Sequence, residues 1–280
     1  MKTSDKGGQS TSLSYLHDFG LLDMVPLPGS CQASFGDIAD SFDQLFQDFD
    51  EIVRLEAESL NRILSVRKAH TVLDCACGTG MQALGLAQLG YAVSASDIST
   101  KCLEILRVNA EKRGVTIDTK RADFRTLRPW LGTRFDAVIA CGNSLPLVEQ
   151  LEEIDQTLTS MRRVLKSGGC AIVSVRDYGI LRDAQETELP RLFRLCNGNP
   201  EWVMDLRLFG AKRVRVVTVF IRAVAGRWRL RTFVKSYLYL SAEDLRKKME
   251  RAGFSRVQLL DLSALNAYTG GEWCLAVGEN

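Results

Sequence analysis

Between positions 71 and 175 the chain repeats one arrangement: a short apolar run, a turn, then a stretch with helical spacing. Positions 71–75, 92–96, 116–122, 135–141 and 170–175 read as strands. Between them, 81–89 reads as a helix closed by Gly90. A second helix starts from an N-capping Ser99 and runs through Leu103, Leu106 and Ala110 toward Gly114. A third presents Leu151, Ile154, Leu158, Met161 and Leu165 on one face. Parallel neighbours need a crossover connection, so this alternation demands a mostly parallel sheet with helices on both faces. Runs such as DAVIAC (136–141), apolar without a break, suit strands covered on both sides.

The flanks are built differently. Residues 1–35, rich in Ser, Gly, Lys and Pro, read as a flexible tail or lid. Residues 36–66 carry Ile38, Phe42, Leu45, Phe46 and Phe49 at spacings of three and four, the stripe of an N-terminal helical cap. The core is expected at 67–178 and a substrate-side insertion at 179–240. Within that insertion, 179–200 is irregular; strands follow at 202–209, 214–224 and 228–240, with a tight turn at 225–226. Strands this close, with no helix between them, pair antiparallel. A helix through Leu245, Met249 and Ala252, stopped by Gly253, and strands at 257–262 and 273–277 return to the core over 241–280.

Composition removes several functions. The 280 residues are 46% hydrophobic and 25% charged, as in an ordinary globule, and the net charge of +2 gives no pull toward nucleic acid or a membrane surface. No run approaches the roughly 18–20 apolar residues of a membrane helix. The opening MKTSDKGGQSTS has no apolar core, so a secretory signal is not expected. Eight cysteines without a CxxC pair, beside only two histidines, argue against a metal site and for reduced thiols in the cytoplasm.

The chemistry concentrates in VLDCACGTG (72–80), a strand running through a glycine turn into a helix. In an open α/β sheet ligands bind at the carboxyl ends of the strands, and Gly78 and Gly80 let one approach the backbone. Asp97 ends the second strand 17 residues after Gly80, where a carboxylate accepts from ribose hydroxyls, with Ile98 beside it. A dinucleotide would bring its pyrophosphate beside Asp74, and two like charges about 5 Å apart repel by roughly 3 kcal/mol at an effective dielectric near 20. A cationic ligand without phosphate, S-adenosylmethionine, is attracted by the same residue. The plainer alternative is that the glycines only cap a helix and Asp97 is a solvated loop charge. Asp123 and Phe124 end the third strand, offering a carboxylate for the adenine amino group and a ring for its face, although Phe124 also suits plain core packing. Cys141 ends the fourth strand, where a backbone carbonyl is expected to face the methyl group without the side chain taking part.

These segments, with SASDIS (94–99), FDAVIACGNSL (135–145) and VSVRDYGIL (173–181), resemble the class I S-adenosylmethionine-dependent methyltransferases, and within them the glycine and sarcosine N-methyltransferases. The resemblance runs from about 36 to 182. It implies a Rossmann-like α/β fold with S-adenosylmethionine held by Ala76, Cys77, Gly78, Asp97, Ile98, Asp123, Phe124 and Cys141. It also implies an acceptor held by Asn143 of GNS and by Arg176, matching the arginine of an HRNY-like segment. Arg54, in RLEAE, resembles the arginine that meets the cofactor's carboxylate. Val175 and Asp177 depart from HRNY, and Phe42 stands near the place of a tyrosine but lacks its hydroxyl.

Methyl transfer is an in-line displacement that asks for alignment and exclusion of water rather than a metal. Neither His17 nor His70 falls in a motif, and no dedicated base is expected. In the insertion, Phe233, Lys235, Tyr237 and Tyr239 share one strand face, and with Tyr178 they are expected to line an acceptor pocket; tyrosines on a half-exposed sheet are the even alternative. Arg213, Arg215, Arg227, Arg229 and Arg231 read as a solvated strand face rather than a nucleic-acid patch. The expected partner is a small amine or amino acid. A larger natural product methylated at oxygen, sulfur or nitrogen is the runner-up, and a non-catalytic cofactor-binding module comes from another class. Homo-oligomerisation stays open.

Overall fold

A computed structural model describes residues 35–196, 198–224, 227–261 and 272–280. The expected tail, apart from its last residue, and the turn at 225–226 lie outside these residues.

Two sheets organise the molecule. The larger contains β1 (Thr71–Asp74), β2 (Ala92–Asp97), β3 (Asp118–Arg121), β4 (Phe135–Ala140), β5 (Leu165–Arg176), β10 (Ser255–Asp261) and β11 (Trp273–Glu279) in the order β10-β11-β5-β4-β1-β2-β3. β11 runs antiparallel to both of its neighbours; the remaining pairings are parallel. Successive residues of one strand serve opposite layers. Leu73, Val138 and Val173 enter the cluster that holds Ile154, Leu158 and Met161 of α5 (Leu151–Arg163) and Leu245 and Met249 of α7 (Ala242–Arg251). Val72, Ala137, Ile139 and Ile172 enter the opposite cluster. There they meet Leu60 and Leu64 of α2 (Phe49–Val66), Leu84 of α3 (Met81–Gln88) and Leu106 of α4 (Thr100–Lys112). This double burial is why β1 and β4 read as unbroken apolar runs.

The helix signals act as expected. Ser99 Oγ accepts from the Cys102 backbone N–H, and the Ser241 hydroxyl does the same for Asp244. Gln150 and Glu153 form a capping box at the start of α5.

The second sheet is an antiparallel meander of β6 (Glu188–Cys196), β7 (Asn199–Phe209), β8 (Arg213–Val224) and β9 (Arg227–Leu238). One end of its inner face packs Val203, Phe220 and Phe233 against Ile38 of α1 (Phe35–Phe42) and Leu45. The other end packs Val214, Val216 and Tyr237 against Tyr178 and Leu181 of α6 (Tyr178–Asp183).

The structure departs from the sequence reading in three places. β6 occupies part of the stretch expected to be irregular. It is an edge strand with Pro190 beside a register shift, and an edge is where proline is tolerated. β5 starts at Leu165 rather than 170, because its pairing with β4 jumps between Phe135–Leu165 and Ala137–Cys170 and carries the glycines through an irregularity. α6 follows β5 directly, started by the Asp177 carboxylate accepting from Gly179 N–H at 2.9 Å. No helix among the described residues is long and apolar enough to cross a membrane.

Candidate cofactor and acceptor site

β1 ends at Asp74, and the turn that follows is tied to β2 through its backbone. Cys77 N–H donates to the Ser96 carbonyl at 3.1 Å, and Gly78 N–H donates to Asp97 Oδ2 at 2.9 Å. The other oxygen of Asp97 accepts from Ser99 N–H at 2.8 Å. Gly80 has φ +103°, and a Cβ there would lie 2.2 Å from Leu106 Cδ1, so the turn enters α3 only with glycine at this position. Asp43, in the short 3-10 turn after α1, accepts from Thr79 Oγ1 at 2.7 Å and from Asn109 Nδ2 at 3.1 Å, pinning the cap to the turn. The sequence reading missed Asp43, which carries no motif and earns its place only through two distant partners.

The acids here are buried. Asp74 is 1% exposed; Oδ1 accepts from Ala76 N–H at 3.3 Å, while Oδ2 has no hydrogen-bond partner. Burial lifts its pKa to about 7, and the charge of Asp97 pushes the same way. Burial also raises Asp97, against the backbone N–H groups of Ser99 and Gly78 that favour its charged form. This modifies the electrostatic argument from sequence: Asp74 without a cation beside it is only partly ionised near neutrality. A cation restores its charge, whereas an anion drives it to the neutral acid.

Cys141 continues from β4 and is buried. Desolvation pushes its thiol well above the usual range, and the charge that raises it most is Glu56, ahead of Asp74. Glu56 lies on the buried face of α2 and accepts from Gln82 Nε2 at 3.0 Å. Two residues earlier, Arg54 stands on the exposed face, bound by Glu51 at 2.6 Å and Glu58 at 2.5 Å. Residues two apart on a helix point about 200° away from each other, so the helix that turns Glu56 inward turns Arg54 outward. The structure therefore turns Glu56 into the interior and leaves Arg54 on the surface; a carboxylate amid an apolar helical stripe was the signal available in RLEAE.

At the edge of the sheet, Asp123 binds the Arg125 guanidinium, with Nη2 at 2.6 Å, and is held below the usual carboxylate range once that pairing outweighs burial. Arg125 also reaches Glu153. Phe124 is partly buried against the core, and Ile98 is 55% exposed beside Asp97.

The GNS loop is locked to β5. Gly142 N–H donates to Ser174 Oγ at 2.9 Å, and Arg176 N–H donates to Asn143 Oδ1 at 2.9 Å. Asn143 adopts φ +64° and is buried, leaving Nδ2 without a partner. The Arg176 guanidinium is committed to Glu272 Oε1, at 3.2 Å from Nε and 2.6 Å from Nη2, and lies by the rings of Tyr178 and Trp273. Tyr178 and Tyr237 stack at 5.2 Å between centroids. Tyr239 follows the end of β9 and donates its hydroxyl to the Gly210 carbonyl at 3.0 Å, so that hydroxyl is engaged within the antiparallel sheet. Of the expected arginine face, Arg213 is partly buried and donates to the carbonyls of Val148 and Glu149. It anchors β8 to the loop before α5 rather than standing in solvent.

The molecule thus gathers the strand ends of β1, β2, β4 and β5, with α2 and α6, around unpartnered buried polar atoms on Asp74 and Asn143. Residues 72–169 match the methyltransferase domain family. A glycine/sarcosine N-methyltransferase of Aphanothece halophytica is 30% identical over 167 residues, covering 56% of this chain and 63% of that protein. A ubiquinone biosynthesis O-methyltransferase of Cereibacter sphaeroides is 29% identical over 133 residues, 48% of each chain. The chain thus spans less than two thirds of the length of these curated relatives. The solved sugar N-methyltransferase KedS8 from a Streptoalloteichus species has the same fold at 20% identity and a TM-score of 0.67, covering 90% of this chain and 95% of that one. Residues 72–169 thus carry a methyltransferase domain, and the chain shares the fold of solved S-adenosylmethionine-dependent methyltransferases. S-adenosylmethionine fits these residues on their own chemistry: a buried acid at the head of the turn keeps one oxygen without a hydrogen-bond partner.

Proposed function

We propose that the protein transfers a methyl group to the nitrogen of a small amine or amino acid, in the cytoplasm. One observation carries this reading: the Asp74 turn, the Cys141 strand end and the Asn143–Arg176 pairing meet at the carboxyl ends of adjacent strands β1, β4 and β5. S-adenosylmethionine supplies a methyl group on a sulfonium already activated for displacement. Asp97 holds the ribose through lone pairs left by Gly78 and Ser99, and Ile98 and Phe124 wall the base. Asp74 and Glu56 give the cationic part of the ligand two buried carboxyl groups. Asn143 Nδ2 donates to the acceptor, and Tyr178, beside the Glu272-paired Arg176, walls its position. An amine loses its proton to solvent before the site closes, so these residues need only align and exclude water. The runner-up, a larger sugar-borne amine, takes its support from the KedS8 likeness, which extends over nearly the whole chain.

Incubation with methyl-deuterated S-adenosylmethionine and a panel of amines, amino acids, phenols and thiols, read by mass spectrometry, tests the reaction. Label on nitrogen is expected; label only on oxygen or sulfur, or on nothing, overturns it. Asp97→Ala should weaken cofactor binding by about 1–3 kcal/mol in calorimetry, since a buried charged acceptor is lost.

A further inference from the structure

The inner face of the antiparallel sheet carries charge where a merely supporting sheet would be apolar. Along β7, Glu201, Val203, Asp205 and Arg207 alternate inward and are buried. Glu201 is met by Arg194 and Arg222, and Asp205 accepts from Thr218 Oγ1 at 2.6 Å. Arg207 lies between the two apolar clusters of that face, and its side chain is 0% exposed. Its Nη1 donates to the Glu186 carbonyl at 2.9 Å and stands 3.5 Å from the Glu186 carboxylate, which is 56% exposed. Nε and Nη2 have no hydrogen-bond partner. Those two nitrogens form the edge of a guanidinium that takes both oxygens of a carboxylate side by side.

The surroundings point the same way. Val216 lies opposite Arg207 in the β7–β8 register, and Lys235 of β9 lies opposite Val216. Burial and the charge of Arg176 act against the Arg207 cation, and Tyr178, Asp205 and Glu186 offset them only in part. Arg176 has already given its own Nε–Nη2 edge to Glu272, so its partner is internal. A buried cation with two donors unused, beside a second cation already neutralised, is a place for an anion to be received.

We propose that Arg207 binds the carboxylate of the methyl acceptor, making that acceptor an amino acid rather than a simple amine. The proposal rests on the N-methylation reading above and assigns to Arg207 the anchoring that sequence alone gave to Arg176. Entry requires the antiparallel sheet to part locally from α6, a motion of the kind that closes sites against water.

The probe is acetate, titrated by calorimetry onto the full chain saturated with S-adenosylhomocysteine. Wild type should bind it. Arg207→Met should bind roughly tenfold or more weakly, and Arg207→Lys, which keeps the charge but not the fork, should fall between. Circular dichroism checks folding; if Arg207→Met does not fold, Arg207→Lys decides. No acetate binding by wild type, or equal binding by a folded variant, overturns the site. A parallel assay compares glycine with methylamine, which shares the nucleophile but lacks the carboxylate. Wild type should prefer glycine in kcat/KM, and Arg207→Lys should shrink that preference roughly tenfold. An unchanged preference also counts against Arg207. Arg207-dependent acetate binding without turnover of any amine would defeat the N-methylation reading and leave the anion site standing.

Discussion

The two sheets solve different problems with the same kind of strand. In the parallel sheet both faces are covered, and β1, β4 and β5 bury nearly every side chain. Its buried polar groups gather toward the carboxyl ends of the strands, at Asp74, Ser96, Asp97, Asn143, Ser174 and Arg176. In the antiparallel sheet, charge lies along the middle of the inner face, on Glu201, Asp205 and Arg207. The outer face exposes a row of rings, Phe193, Trp202 and Trp228, with centroids 4.9 and 5.1 Å apart. A parallel sheet offers its ligand strand ends and backbone; a one-sided sheet can offer side chains along its length.

The sharpest way to break this contrast is at the turn. Gly80→Ala places a methyl against Leu106 on a left-handed backbone, and should cost about 2–4 kcal/mol of stability and abolish cofactor binding. Denaturant unfolding and calorimetry read both effects. If Gly80→Ala binds cofactor normally, the turn is not the rigid element described.

A smaller effect comes from pH. Asp74 is raised from its ordinary value to about 7, so its proton must leave for the carboxylate to meet a cation. S-adenosylmethionine affinity should therefore rise as pH increases through about 7, by up to tenfold per unit below that value, and level off above it. Asp74→Asn should flatten the profile. The sign for stability is opposite: a carboxyl raised on folding stabilises the cofactor-free protein at pH below its unfolded value near 4, and that contribution is lost as pH rises through about 7. Thermal unfolding of wild type and Asp74→Asn across this range would show it; parallel curves would dissociate Asp74 from both effects.

The smallest change is expected on the outer face. Trp228 is 58% exposed, and Trp228→Ala should shift stability by about 1 kcal/mol or less with cofactor affinity unchanged. A large loss of cofactor affinity would mean that the outer face of the antiparallel sheet is coupled to the parallel one.

How much of this was legible depends on how local each signal is. Ser99, Gly90 and the apolar runs of β1 and β4 act on their own neighbours, so periodicity and capping residues placed those elements nearly as they stand. β6 escaped because its alternation is interrupted by Pro190 and supported by pairing with β7 rather than by its own pattern. Asp97 and the glycine turn were readable because the ligand they suit needs fixed residue types at fixed spacing. Glu56 was not, because its burial and its bond to Gln82 depend on the packing of α2 against α3.

The sequence by itself determined the layering and the turn: hydrophobic period and glycine placement are properties of consecutive residues, and they leave few ways to bury the apolar faces. Only the tertiary structure decided which charges are spent and which remain. Glu272 takes the edge of Arg176 from 96 residues away, Glu153 meets Arg125 across 28 residues, and Arg207 is left with two donors unused. Hydrogen bonding and burial are settled by which atoms meet in space, and a linear order of residues does not carry that information.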